Sequence, residues 1–130
     1  MLREVGAGVR SAAEARVREV FSRHGVLQPR WNWALHRVED GEHVVTPDGW
    51  WEHLGVALQI DSMAFHLTPA AYKRTQRLQR RLGVFDVPFL PIAPADVFDD
   101  EQGFVAQVRA FLATHHDHRP SPDLFARPPA

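Results

Sequence analysis

Residues 46–62 read TPDGWWEHLGVALQIDS. Pro47 lacks the N–H that a ladder needs, so the chain around it is an edge or a bend rather than a mid-sheet position. From Leu54 to Ile60 the run is almost wholly apolar and of strand length, which suits a central strand covered on both faces. Only Gln59 interrupts it. Asp48 stands just before the tryptophan pair and Asp61 just after the apolar run. If the two strands are neighbours, their acidic ends meet at one rim of a sheet, where paired carboxylates can hold a divalent cation. The bland alternative is a half-buried hairpin in which Asp48 makes an Asx-turn before Gly49 and Asp61 caps the following loop.

Working outward, RWNWALHRV at 30–38 alternates polar and apolar residues. That predicts a strand with one buried face, turning at EDGE (39–42) into HVVTPDGWW as its hairpin partner. In one such strand Trp31 and Trp33 share a side and are expected to pack together. Upstream, SAAEARVREVFSRH (11–24) predicts a helix with Ser11 as N-cap, Glu14 as its capping-box partner and Gly25 as the stop. Downstream, Thr68-Pro69 opens a second helix that ends at Gly83. VFDVPFLPI (84–92) predicts a last strand, and a third helix spans 101–114 with Phe104, Val105, Val108, Phe111 and Leu112 inward. Residues 115–130 hold four prolines and no periodicity, so they are expected to form a tail without regular structure. The histidines at 115, 116 and 118 suggest at most adventitious metal binding.

This order predicts an α/β fold with a mixed central sheet of about four strands flanked by helices. At 130 residues the chain is one domain. It has no cysteine, which excludes thiol chemistry, disulfides and zinc–thiolate sites. No stretch approaches the roughly 18 apolar residues of a membrane span, and no signal-peptide pattern is evident, so a cytoplasmic location without membrane partners is expected. Net charge is −1, which argues against a wholesale polyanion binder. Lys73, Arg74, Arg77, Arg80 and Arg81 nonetheless concentrate positive charge on the second helix, either as a solvated face or as a stripe for nucleic-acid phosphates.

Ser11-x-x-Glu14 on a helix, Pro47-Asp48, an apolar strand ending Gln59-Ile60-Asp61-Ser62, His66 beyond it, and the later LGVFDVPFLPIAPADV together resemble the DUF559 family. That family belongs with the very-short-patch-repair-type endonucleases of the PD-(D/E)xK superfamily, and the resemblance covers roughly residues 7–114. It implies a restriction-endonuclease-like core over 11–114, with 1–10 as a lead-in. It also implies a site built from Glu14, Asp48, the position of Gln59, Asp61 and His66. Asp48 and Asp61 would hold Mg²⁺, and the substrate would be DNA. In actinobacterial relatives the module follows a helix-turn-helix region in antitoxin-like proteins, and LREVGAGVRSAAEAR is similar to the join between the two parts.

The sequence departs from the family pattern where Gln59 replaces a glutamate and Ser62 a glycine. The acidic residue expected before the RxxRL segment of the second helix is missing too. An amide offers a neutral oxygen and no charge. The expectation is therefore a metal-dependent endodeoxyribonuclease with a weakened or lost active site. The competing expectation is a pseudo-enzyme that binds DNA or a protein partner in a toxin–antitoxin-like regulator. A further rival is a domain that forms a homodimer through an exposed tryptophan face.

Overall fold

The computed structural model describes residues 2–60 and 69–130, with the side chains of 2–10, 71, 72, 74 and 75 left undescribed. Eleven elements follow along the described chain. They are α1 (Leu2–His24), β1 (Arg30–Trp31), β2 (Ala34–Arg37), β3 (His43–Val45), β4 (Gly49–Trp51), β5 (Val56–Ile60), α2 (Pro69–Val84), β6 (Phe89–Ile92), α3 (Pro94–Asp99), α4 (Glu101–Thr114) and β7 (Leu124–Arg127). A four-stranded sheet has the order β1-β4-β5-β6, and a three-stranded sheet the order β3-β2-β7. The first is mixed: β1, β4 and β5 run antiparallel, while β6 joins β5 in parallel through the α2 crossover. The expected mixed α/β architecture is the one observed. Among the described residues no helix is long and apolar enough to cross a membrane.

The alternating segments 30–38 and 43–51 do not form one continuous hairpin. Each divides between the two sheets: Arg30–Trp31 pairs with Trp50–Gly49 in the first, and Leu35–His36 pairs with Val45–His43 in the second. The break falls at Asn32, whose φ of +63° is left-handed, a conformation that asparagine tolerates better than most residues. Opposite it, Pro47 has no N–H to continue the ladder. The Asn32 N–H donates instead to the Asp48 carbonyl at 3.0 Å, fastening the two chains across the bend. Trp31 and Trp33 are consequently not strand neighbours on one side. Trp31 packs against Phe21, with ring centroids 6.4 Å apart, while Trp33 lies under the guanidinium of Arg30.

Both faces of the first sheet are covered, as the apolar run requires. Ala13, Val17, Val20 and Phe21, at helical spacing on α1, pack with Trp51, Val56, Leu58 and Ile60 and with Phe104, Val105 and Val108 of α4. Phe21 stacks on Phe104 at 6.0 Å and meets Trp51 at 6.2 Å, contacts worth about 0.5–1.5 kcal/mol each beyond area burial. The opposite face carries Trp50 and Ala57 against Leu82, Val87 and Leu35. Trp50 and Trp51 are 3% and 1% exposed. They belong to the core and do not supply the exposed tryptophan face of the homodimer reading.

Besides the last strand, expected over 84–92 but spanning only Phe89–Ile92 because α2 runs to Val84, three boundaries differ from expectation. The helix does not begin at Ser11, because α1 already runs from Leu2. Ser11 is therefore interior and Glu14 is not its capping partner. Gly25 does stop α1: its φ is +67° and the Val26 N–H closes back on the Phe21 carbonyl at 2.9 Å. A short α3 precedes α4, whose N-cap is Asp100, accepting the Gly103 N–H at 3.0 Å.

The tail is the third difference. Residues 124–127 form β7 and pair with all four residues of β2. Leu124 and Ala126 pack on the Trp50 side of the core, and Phe125 stacks on His36 at 5.4 Å. The prolines at 120, 122, 128 and 129 bracket the strand rather than interrupt it. The tail is also pinned upstream. The His118 Nδ1–H donates to the Leu54 carbonyl at 2.6 Å, and Gly55, at φ +68°, lies so close to Pro120 that a Cβ would come within 2.4 Å of its Cα.

Candidate functional site: an acidic corner between α1, β4 and β5

Asp48 is 3% exposed, the one buried charged residue among the described chain. Its position follows from strand pairing. Gly49 faces Leu58 across the β4–β5 ladder, so Asp48, one residue earlier, stands beside Gln59 and Ile60. Its Oδ2 accepts the Ile60 N–H at 2.7 Å. This charge-assisted bond satisfies the Ile60 N–H at the end of β5. Gln59 is half-buried between Leu58 and Ile60, which both point into the α1 core. Alternation along the strand places it on the other face, with Ala57.

Glu14, on α1, is linked to the chain at Asp48 through an intermediary. Its Oε1 accepts from Asn32 Nδ2 at 2.8 Å and its Oε2 from Arg18 Nη2 at 3.2 Å, and its side chain is 21% exposed. Asn32 therefore holds Glu14 with its side chain and Asp48 with its backbone. The sequence reading passes over this residue, because strand alternation assigns Asn32 no task. The available signal is an asparagine, which tolerates φ > 0, placed between two tryptophans near a proline-bearing partner.

Asp61 and His66 lie outside the described residues. Among the described residues no group of three or more histidines, aspartates or glutamates is arranged to hold a metal ion. The donors that are described fit Mg²⁺ poorly. Glu14 accepts from the chain itself at both oxygens, Gln59 has only an amide oxygen, and one oxygen of Asp48 is already bonded to Ile60. Mg²⁺ favours near-octahedral oxygen ligands with one or two carboxylates among them. The second such carboxylate expected from the sequence is Asp61.

Two carboxyls outside this corner are held below their ordinary range. Asp40 is lowered by the Glu42 backbone N–H and then by Arg37 within the β2–β3 turn. Glu101 is lowered by its bond to His24 and by the nearby Arg23 at the junction of α1 and α4. On α2, Lys73, Arg77, Arg80 and Arg81 are exposed, with Leu78 and Leu82 turned to the core. Among the described residues no ion pair ties these four down. The side chain of Arg74 is not described.

No family model matches this chain, and no curated protein and no solved structure matches it.

Proposed function

We propose that this chain is a PD-(D/E)xK-like nuclease-fold domain, descended from Mg²⁺-dependent DNA endonucleases of the DUF559 kind, in which cleavage is weakened or lost. The observation that carries this reading is the placement of Asp48. A buried carboxylate at the start of β4 is bonded to the end of β5 beside Gln59, and Glu14 is tied to the same stretch of chain through Asn32. In the ancestral arrangement Asp48 and Asp61 would hold a divalent cation, which would supply Lewis-acid chemistry at the phosphate. Glu14 and His66 assist, and Lys73, Arg74, Arg77, Arg80 and Arg81 grip the DNA backbone. The reading places the protein in the cytosol with its substrate.

Gln59 is the reason for weakened chemistry. One unit charge removed about 4 Å from a cation is worth about 4 kcal/mol at an effective dielectric of 20, much of it offset by hydration. A second reading, a pseudo-nuclease that binds DNA or a protein partner in a toxin–antitoxin-like regulator, is favoured by the bonds on Glu14. That carboxylate is satisfied by Asn32 and Arg18 without a cation.

Nicking of supercoiled plasmid in Mg²⁺ or Mn²⁺ separates the two. The nuclease lineage predicts that Gln59→Glu nicks at least about tenfold faster than the natural chain, a gain of about 1.4 kcal/mol. Adding Asp48→Asn should abolish that gain. A folded Gln59→Glu protein without nicking would leave the binding module.

A further inference from the structure

The second sheet carries a row of three rings, one from each strand: His43 on β3, His36 on β2 and Phe125 on β7. Leu35 pairs with Val45, so an unbroken ladder would set Val44 opposite His36. A β-bulge between Leu35 and His36 sets His43 there instead. Bulges re-aim side chains in this way, and they recur beside functional sites. The two imidazole centroids are 5.4 Å apart with the rings inclined at 74°, and Phe125 stacks on His36. Leu35 and Val45 turn to the core with Trp50 and Leu82, whereas His43 is exposed and His36 half-buried.

We infer that His36 and His43 form a two-histidine binding site for Zn²⁺. Each ring has one nitrogen engaged by the chain and one left for a ligand. The His36 Nδ1–H donates to the Gly41 carbonyl at 3.0 Å. A carbonyl only accepts, so the lone pair of the neutral ring is on Nε2. His43 Nε2 lies 2.8 Å from Thr46 Oγ1. With that hydroxyl accepting, the lone pair of His43 is on Nδ1. Neither lone-pair nitrogen has a hydrogen-bond partner among the described residues. An acceptor that holds the second N–H is how metal-binding histidines are oriented, and a backbone carbonyl is a common one.

The spacing of the rings fits a tetrahedral ion. Zinc–nitrogen bonds of about 2.0–2.1 Å at tetrahedral angles put two imidazole centroids about 5.2 Å apart. The observed 5.4 Å is a small side-chain adjustment away. Glu39, Asp40 and Glu42, in the turn that joins the two strands, add negative charge, of which Arg37 neutralises Asp40. Arg127, 5.2 Å from the Phe125 centroid, is the cation at the opposite end of the row. Two protein nitrogens leave the remaining positions to water, so the ion exchanges readily. The site shares no residue with the acidic corner. Its ligands differ in kind as well, since imidazole suits zinc and Mg²⁺ takes oxygen.

The chain has eight histidines, so the test must resolve them individually. ZnCl₂ is titrated into the ¹⁵N-labelled full chain at neutral pH, and the imidazole nitrogens are followed by long-range ¹H–¹⁵N correlation spectra. His36 Nε2 and His43 Nδ1 should shift together in one saturable step. Changing a group that merely orients a metal ligand costs about 10–100-fold in affinity. His36→Gln and His43→Gln should therefore each weaken binding at least about tenfold, with circular dichroism unchanged. Mg²⁺ in about hundredfold excess should leave the titration unaltered. If His36→Gln fails to fold, the exposed His43→Gln decides. Shifts confined to His115, His116 and His118, movement of only one strand histidine, or undiminished affinity in the folded variants overturns the inference. That failure is distinct from failure of the nuclease reading, which is scored on plasmid nicking by Gln59→Glu.

Discussion

The Asp48 carboxylate receives the Ile60 backbone N–H at 2.7 Å inside the protein, tying the start of β4 to the end of β5. Removing the acceptor strands a buried donor, a loss of about 1–3 kcal/mol. Asp48→Ala should therefore destabilise the chain by about 2 kcal/mol in urea unfolding, while Asp48→Asn, which keeps an oxygen, should lose less than half as much. Equal losses would show that the acceptor is not what stabilises the corner.

Gly55 and Pro120 fix the tail. The left-handed φ of Gly55 costs other residues about 1–2 kcal/mol, and the 2.4 Å approach of Pro120 leaves no room for a methyl group. Gly55→Ala should release residues 115–130 before it unfolds the core. Amide exchange at Leu124–Arg127 should accelerate while that of Val56–Ile60 stays protected. Uniform acceleration would mean that tail and core open together.

Deleting residues 115–130 should do more than shorten the chain. β7 covers the edge of β2 along four residue pairs, and an uncovered edge is a template for another chain. The truncated protein should self-associate with rising concentration in light scattering, whereas the full chain should not. A monodisperse truncation would mean that β7 is dispensable as an edge cover.

Glu101 links α4 to the end of α1 through His24 at 2.8 Å and through Arg23. Its folded carboxyl titrates below the ordinary value of 4.5, first because of His24 and then Arg23. A depressed carboxyl stabilises the fold above its unfolded pKa and loses that contribution as pH falls through the lower folded one. The stability gap between the natural chain and Glu101→Gln should thus be widest above pH 4.5 and close in more acidic solution. A gap that widens on acidification would reverse the assignment.

Much of the fold is legible in residues whose spacing has one physical meaning. Ala13, Val17, Val20 and Phe21 recur at helical period and do form the buried stripe of α1. The run around Val56–Ile60 has no polar face and is the central strand. The tertiary environment decides the remainder. Asn32 reads as one more alternating residue until Pro47 across the bend forbids a ladder bond, and the hairpin then splits between two sheets. The strand Leu124–Arg127 is four residues among prolines, and only the open edge of β2 gives it a partner. Ser11 fits a helix start in isolation, but the helical residues before it make it interior.

The candidate site is half legible for the same reason. Asp48 and Gln59 occupy neighbouring positions because the β4–β5 register sets them side by side, and that pairing follows from the apolar pattern. The satisfaction of Glu14 by Asn32 and Arg18 depends on how α1 crosses the sheet, which no spacing encodes.

Calorimetric titration of Mn²⁺ into the natural chain, Gln59→Glu and Gln59→Glu/Asp48→Asn tests the central claim most directly. The account predicts weak binding by the natural chain and at least tenfold tighter binding by Gln59→Glu. It also predicts loss of that gain in the double variant, because the restored charge and Asp48 must face one cation. Identical isotherms for all three folded proteins would contradict it, leaving the corner as a polar network with no metal-binding ancestry in its geometry.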